Sequence, residues 1–459
     1  MSAPQAIEIS EFVGNAKLGR QHIAILLLSA LTLFIDGFDL GTVNVAAPAI
    51  IRSFHIEKSA MGHVIGAGFF GILVGCWVFG YVGDRWGRKA GSIWSCICYA
   101  IPALLITQAS TINEVMYLRF LAGIGLGGVM PTTLALLAES APKRYRATFA
   151  MIALFGFPTG TWGIGQVAAF FIPTYGWQAV FFAGAIAGGC LAVVQIFMLP
   201  ESLQWLALNK PESPVLRRRA QSLSPERNVG PETRFYAQQQ EKVKGLVLPE
   251  LFKGKQWIAT TLLWTAYFAE GLTYITFASW LAVVLETAGL TPTQASFTFS
   301  YAGIAGIVVA IFIMRPLDKI GPMANVITAI IAIVALVTVG TPGIPVWLIM
   351  ASAIAAHGFC SATHSSLNGT VGLFYPTRMR SNGVGWASGM GRIASIIGPI
   401  IVGYLLSAKL PLNELLYILA APYAVVVLAC IGLGRLYQRS YSNASIEARA
   451  KLETVTAAE

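Results

Sequence analysis

Charge is what this sequence has least of. Asp, Glu, Lys and Arg make up 11% of its 459 residues, where a soluble domain carries about 25%. Set against 56% hydrophobic residues and a mean hydropathy of +0.67, that scarcity excludes a soluble enzyme, a disordered chain and a nucleic-acid-binding domain. The six cysteines (Cys76, Cys96, Cys98, Cys190, Cys360, Cys430) all lie in apolar stretches, and none stands at ligand spacing from a histidine. Neither a disulfide framework nor a metal site is therefore implied. No Ser/His/Asp constellation is visible, so no enzymatic activity is expected. A cleavable signal peptide is not expected either, because Met1–Arg20 is polar and mixed in charge, without an apolar core. What this composition does describe is a polytopic membrane protein.

Crossing the hydrocarbon takes about 20 mostly apolar residues. Twelve runs qualify: 22–48, 60–82, 89–109, 113–138, 147–171, 177–199, 256–285, 294–314, 322–340, 344–371, 381–407 and 412–434. All are predicted helices, since lipid offers backbone polar groups no partners. One long polar loop, 200–255, separates six spans from six. With the N-terminus placed in the cytoplasm, 26 of the 31 Lys and Arg fall in cytoplasmic segments and 3 in outer loops, with Arg119 and Arg392 inside spans. This asymmetry predicts that both termini are cytoplasmic. The expected organisation is an N-terminal six-helix half (1–199), a central cytoplasmic loop (200–255), a C-terminal six-helix half (256–436) and a cytoplasmic tail (437–459). The loop, with Arg217-Arg218-Arg219, is expected to run along the anionic inner leaflet.

The halves align at one offset of 234 residues. Asp84-Arg85-Trp86-Gly87 matches Asp318-Lys319-Ile320-Gly321, Pro142–Arg146 matches Pro376–Arg380, and Asp36-Gly37 matches Glu270-Gly271. Three matches at one spacing argue for duplication. Two parallel halves of this kind place a substrate site near the bilayer midplane.

Gly80-Tyr-Val-Gly-Asp84-Arg85-Trp-Gly87-Arg88-Lys89, between spans 2 and 3, resembles the GxxxDRxGRK motif of the major facilitator superfamily. Glu139-x-x-Pro142-x-x-x-Arg146 and Pro200-Glu201-Ser202 are similar to patterns in its sugar and organic-acid porters. The second-half copy at 315–322 keeps Asp318 and Gly321 and lacks the final basic pair. Asp36-Gly37-Phe38-Asp39 in span 1, Arg119 to Pro131 in span 4 and Arg380 to Arg392 in span 11 together resemble the aromatic acid:proton symporter family. Glu270 departs from that family's pattern. The resemblance covers all twelve spans. It implies the major facilitator fold, an all-α polytopic protein of two pseudo-symmetric six-helix halves, and proton-driven import by alternating access.

A charge at the bilayer centre costs about 2.5–3.5 kcal/mol on insertion scales, so such a residue is functional or paired. Asp36 and Asp39, three residues apart on one face of span 1, are expected to couple proton movement; the alternative is that they are satisfied acceptors in a helix contact at Gly37. Arg119 is expected to partner one of them, or to snorkel outward. Arg392 is expected to anchor a substrate carboxylate through its planar fork, or to form an ion pair with Asp36, Asp39 or Glu270. Glu270 is read as a second proton site, a substrate contact or a neutral acid bonded to a carbonyl. His357 is read as a substrate residue or a packing residue, and His364 and Asn368 extend its helical face. Trp386 and Tyr301 are candidate aromatic contacts for a ring-shaped substrate. Asp84, Arg85, Gly87, Arg88, Glu139, Arg144 and Asp318 are expected to form cytoplasmic gating clusters. The glycine runs 123–128 and 383–391 read as close helix contacts.

The resulting expectation is a proton-coupled importer of a small organic acid, with a benzoate- or hydroxybenzoate-like aromatic carboxylate as the favoured class. It would act as a monomer in the bacterial inner membrane, driven by the proton gradient, without a cofactor or nucleic-acid partner. The rival readings are a proton-coupled exporter of drugs or organic acids, and an importer of a dicarboxylate or sugar acid.

Overall fold

The structure, a computed structural model, describes residues 6–223, 233–237, 248–254, 256–375 and 377–456. Pro376 and the side chains of Asp318, Arg378 and Arg380, named above, lie outside the described residues. Two compact units are distinguished: Met1–Val243 with Thr291–Ser300, and Lys244–Leu290 with Tyr301–Glu459.

In the first unit the apolar runs form α1 (Arg20–Phe54), α2 (Lys58–Trp86), α3 (Arg88–Ile106), α4 (Ile112–Ser140), α5 (Lys143–Tyr175) and α6 (Gln178–Met198). α5 is interrupted at Phe155, between Leu154 and Gly156. In the second unit they form α7 (Gln256–Thr287), α9 (Met323–Val339), α10 (Val346–Phe374), α11 (Thr377–Ser407) and α12 (Leu412–Thr456). α8 (Pro292–Ile320) completes the twelve. Eleven of these are long and apolar enough to span a membrane, and α9 is a shorter apolar helix of 17 residues. It is short because Gly321, at φ 58°, and Pro322 precede its first turn. Seventeen residues rise about 26 Å, at the lower end of what spans a bilayer.

The duplication read from sequence recurs in packing. In the first unit α1 packs on α4, α5 and α6, and α3 packs on α4 and α6. In the second, α7 packs on α10, α11 and α12, and α9 packs on α10 and α12. Each pair is the earlier one advanced by six helices.

Glycine sets the distances between helices. A Cβ at Gly71 or Gly75 of α2 would lie 2.2 or 2.0 Å from a carbonyl oxygen of α4, and one at Gly123 or Gly127 of α4 would lie 2.3 Å from a carbonyl oxygen of α2. The run 123–128 is thus a backbone-to-backbone contact, as its composition predicted. The run 383–391 is mixed: Gly383 faces the Tyr375 ring, while Gly385 and Gly389 have nothing within 4 Å. Buried Gln195 adds polar glue, donating to Thr32 Oγ1 at 2.8 Å and accepting from Ser92 Oγ at 3.2 Å, which joins α6 to α1 and α3.

The N-terminal segment and the start of the central loop build a small module of their own. Strand β1 (Ala6–Glu8) pairs in parallel with β2 (Arg234–Tyr236). The short helices Ile9–Gly14, Leu203–Asn209 and Pro214–Leu223 close over a core that includes Ile9, Phe12, Leu206, Leu216 and Phe235. Phe12 and Phe235 meet edge to face at 5.4 Å. The sequence reading saw this segment as a polar tail and a basic linker. The apolar positions that pack it are few, and they are separated by about 200 residues of membrane helix.

Candidate functional site

Three polar constellations stand out, two in the first unit and one in the second. The first lies between α1 and α4. Arg119 Nη1 donates to Asp39 Oδ2 at 2.5 Å, and Nη2 reaches the Asp39 carbonyl at 3.4 Å. The side chains are 2% and 1% exposed, so Arg119 does not snorkel. Gly68 on α2 makes the room: a Cβ there would stand 3.2 Å from Arg119 Cγ. Asp36, a turn away, is also buried. A fully desolvated pair of this kind is electrically neutral and tolerated, whereas either charge alone would be expensive.

The second constellation is the motif between α2 and α3. Arg88 forks between Asp84 (2.5 Å) and both nitrogen approaches to Glu139 Oε1 (3.0 Å). Arg144, expected in this cluster, is placed instead over the ring of Tyr145 at 5.6 Å. Arg85 is exposed. Gly87 has φ 106°, and a Cβ there would come within 2.1 Å of Glu201 Oε2. Both facts demand glycine. Glu201 accepts from the Lys89 amide at 3.0 Å, capping the start of α3 where a carboxylate is favoured. Burial pushes its carboxyl above the ordinary value, against the opposing pull of the Lys89 and Ser202 amides and of Arg219. Ser202 donates to Glu139, and Trp205 Nε1 donates to the Asp84 carbonyl at 2.8 Å. Glu201 and Trp205 are the residues sequence reasoning undervalued. The sequence signal for Glu201 is the Pro200-Glu201-Ser202 motif, and Trp205 lies three residues beyond Ser202.

The third constellation lies between α7 and α10. Glu270 is 1% exposed, and its Oε2 stands 3.1 Å from Nδ1 of His364, which is 42% exposed. His357 is buried with Nδ1 3.0 Å from the Ala302 carbonyl, and the Tyr274 ring lies 5.4 Å from it. His357 is thus a bonded residue beneath an aromatic ring. Trp386 is exposed and stacks on Trp264 at 6.0 Å, and Tyr301 is exposed. Arg392 is partly buried on α11, one residue beyond Gly391, which approaches the Tyr267 carbonyl. The side chain of Asp318 lies outside the described residues.

Comparison with known proteins agrees with this architecture. The chain is 27% identical to the 4-hydroxybenzoate transporter PcaK of Pseudomonas putida, over 94% of this chain and 97% of that one. It is 30% identical to a gallate transporter of the same species, over 95% of this chain and 96% of that one. Among solved structures, the partially occluded inward-open xylose transporter XylE of E. coli shares the fold, with a TM-score of 0.68 at 16% identity, covering 90% of this chain and 97% of that one. The family model of the Major Facilitator Superfamily matches residues 29–399. With that match across most of its length, and with the superfamily's loop motif folded around Arg88, the chain belongs to the Major Facilitator Superfamily and is a membrane transporter, not an enzyme.

Proposed function

We propose that this transporter imports a small aromatic carboxylate of the hydroxybenzoate type across the bacterial inner membrane, coupled to protons. The observation that carries the substrate class is full-length similarity to transporters of 4-hydroxybenzoate and gallate, both hydroxylated benzoates. Arg392, always charged and able to hold a carboxylate bidentately, is the anchor assigned to the substrate. The exposed rings of Trp386 and Tyr301 supply aromatic contact.

Coupling is assigned to Asp39, Arg119 and Asp36. Protonation of Asp39 would release Arg119 from its 2.5 Å contact. The freed guanidinium must then find another anion, which links proton uptake to a change of packing. No covalent step and no cofactor are involved; the proton gradient supplies the work. One proton per monoanion makes import electroneutral, and a second proton adds about 2.3 kcal/mol per 100 mV of membrane potential. Asp84, Arg88 and Glu139, tied by Glu201 and Trp205, bias the conformational equilibrium.

The test is uptake of radiolabelled 4-hydroxybenzoate, gallate, benzoate and an aliphatic dicarboxylate into proteoliposomes under an inward proton gradient. Aromatic uptake that a protonophore abolishes, and that Arg392→Ala and Asp39→Asn each reduce at least about 100-fold, is the expected result. Equal uptake of the aliphatic acid, or uptake indifferent to protonophore, would overturn the reading.

A further inference from the structure

Glu270 and His364 sit in an antiparallel polar zipper within the second unit. On α7 the residues Tyr267, Glu270 and Tyr274 share one face, and on α10 His357, Ser361, His364 and Asn368 share another. They meet rung by rung. The Tyr267 hydroxyl donates to Asn368 Oδ1 at 2.9 Å. Glu270 Oε2 meets His364 Nδ1 at 3.1 Å. The Tyr274 ring lies 5.7 Å from that of His364 and 5.4 Å from that of His357. Asn368 Nδ2 donates to the His364 carbonyl at 3.1 Å, fixing the turn that carries the imidazole.

The electrostatics of this rung are unusual. Glu270 Oε1 is buried and has no hydrogen-bond partner. The groups facing it are Tyr267 and Tyr274 on α7, Cys360 on α10 and Tyr423 on α12, all neutral in their ordinary forms, with His357 against the Tyr274 ring. α11 contributes Arg392, one residue past the Gly391 carbonyl that abuts Gly271. A carboxylate with a neutral imidazole carries a net charge of −1. In low dielectric that state is costly unless one more proton joins the pair or the Arg392 guanidinium compensates it. The added proton belongs to the two residues together. Glu270, at 1% exposure, cannot exchange it directly, whereas His364, at 42%, can.

We propose that Glu270 and His364 together form a second proton-carrying site of this transporter, loaded and emptied through the exposed edge of His364. The proton adds to the carboxylate–imidazole pair on loading and leaves as a hydronium-bound proton on release, with no other bond changed. The site is independent of Asp39 and Arg119, and its part in coupling rests on the transport reading above. It gives Glu270, buried with one carboxylate oxygen unpartnered, a task that a packing residue would not need.

Two measurements on the full-length protein test this. In detergent micelles, the imidazole 15N resonance that His364→Gln removes is titrated in wild type and in Glu270→Gln. A midpoint at least about one pH unit higher in wild type is expected, and equal midpoints would overturn the pair. Should Glu270→Gln fail to give monodisperse protein, Glu270→Asp, which keeps the acid but shortens its reach, is compared in the same way. In proteoliposomes, gradient-driven uptake of 4-hydroxybenzoate is compared with counterflow exchange, which needs no net proton movement. For both variants, uptake should fall at least about tenfold more than exchange. Parallel loss of the two, or undiminished uptake, would leave the residues merely structural and sink the proposal. If wild type moves no carboxylate in either assay, the substrate reading fails, and the titration still decides the pair.

Discussion

Arg119 illustrates what a single buried charge demands. Its guanidinium is held by Asp39, and both are sealed from solvent. Removing one partner leaves the other charged in an apolar interior, which costs about 3–5 kcal/mol. Arg119→Ala should therefore lower the melting temperature in detergent more than the charge-neutral double variant Asp39→Asn with Arg119→Gln. That double variant should recover most of the stability and none of the gradient-driven uptake. If it transports like wild type, the pair is structural. The sequence left Arg119 open between Asp36, Asp39 and the outer interface, because both acids lie on adjoining parts of one face. The choice was settled by Gly68 on the neighbouring helix, whose missing side chain makes the slot for the arginine stem. That slot is a three-helix property, invisible to spacing along one helix. The same holds for Glu270, whose partner His364 lies 94 residues away.

Glu201 carries a residue-scale pH dependence. Burial raises its carboxyl above the ordinary value, so the fold binds its proton more tightly than the unfolded chain does. The associated stabilisation is complete below the ordinary carboxylate value and is lost as pH rises through the folded value. Hydrogen-exchange protection of Leu203–Asn209, taken as the ratio of wild type to Glu201→Gln at each pH, should decline as pH rises above the ordinary carboxylate value. A flat ratio would mean that the amide bonds from Lys89 and Ser202 outweigh desolvation.

At the scale of elements, backbone contact between α2 and α4 is the most demanding feature of the first unit. A methyl group at Gly75 would sit 2.0 Å from the Ile124 carbonyl, and backbone cannot yield as a side chain can. Gly75→Val should abolish monodisperse expression, whereas Gly189→Val, on α6 with nothing within 4 Å, should leave the elution profile unchanged. The small module of β1, β2 and the short helices makes a second element-scale prediction. Phe12 is 1% exposed against Phe235, and truncating a buried phenylalanine costs about 3–5 kcal/mol. Phe12→Ala should unprotect the amides of Leu203–Asn209 and Pro214–Leu223 in hydrogen exchange while the membrane helices keep theirs. The helices were legible because hydropathy reads a twenty-residue window directly. The module was not, since its core joins Ile9, Phe12 and Val13 to residues beyond Pro200. A helical spacing of three and four in the tail was the available sign.

For the molecule as a whole, the 234-residue offset foretold that helix pairs would recur, and α1 on α5 does recur as α7 on α11. Repetition in sequence constrains packing because duplicated faces bury the same stripes. Orientation in the membrane is a separate matter, set by the charges between helices. Of 31 Lys and Arg, 26 fall in the loops and tails expected on the cytoplasmic side and 3 in those expected outside. Translocating even a few of the 26 works against the bias that fixes topology during insertion. The basic Arg217–Arg219 segment, in the same unit as the motif around Arg88, supplies three of those 26. Green fluorescent protein fused at either end should therefore fluoresce, and alkaline phosphatase fused at either end should be inactive. Phosphatase inserted between α1 and α2, near His55, should be active. An active terminal phosphatase fusion would reverse the assignment, and with it the direction in which the Asp84, Arg88 and Glu139 cluster faces. Moving Lys143, Arg144 and Arg146, at the start of α5, to the 55–57 loop should weaken the bias, and mixed reporter activity would follow if charge at the helix ends is the determinant.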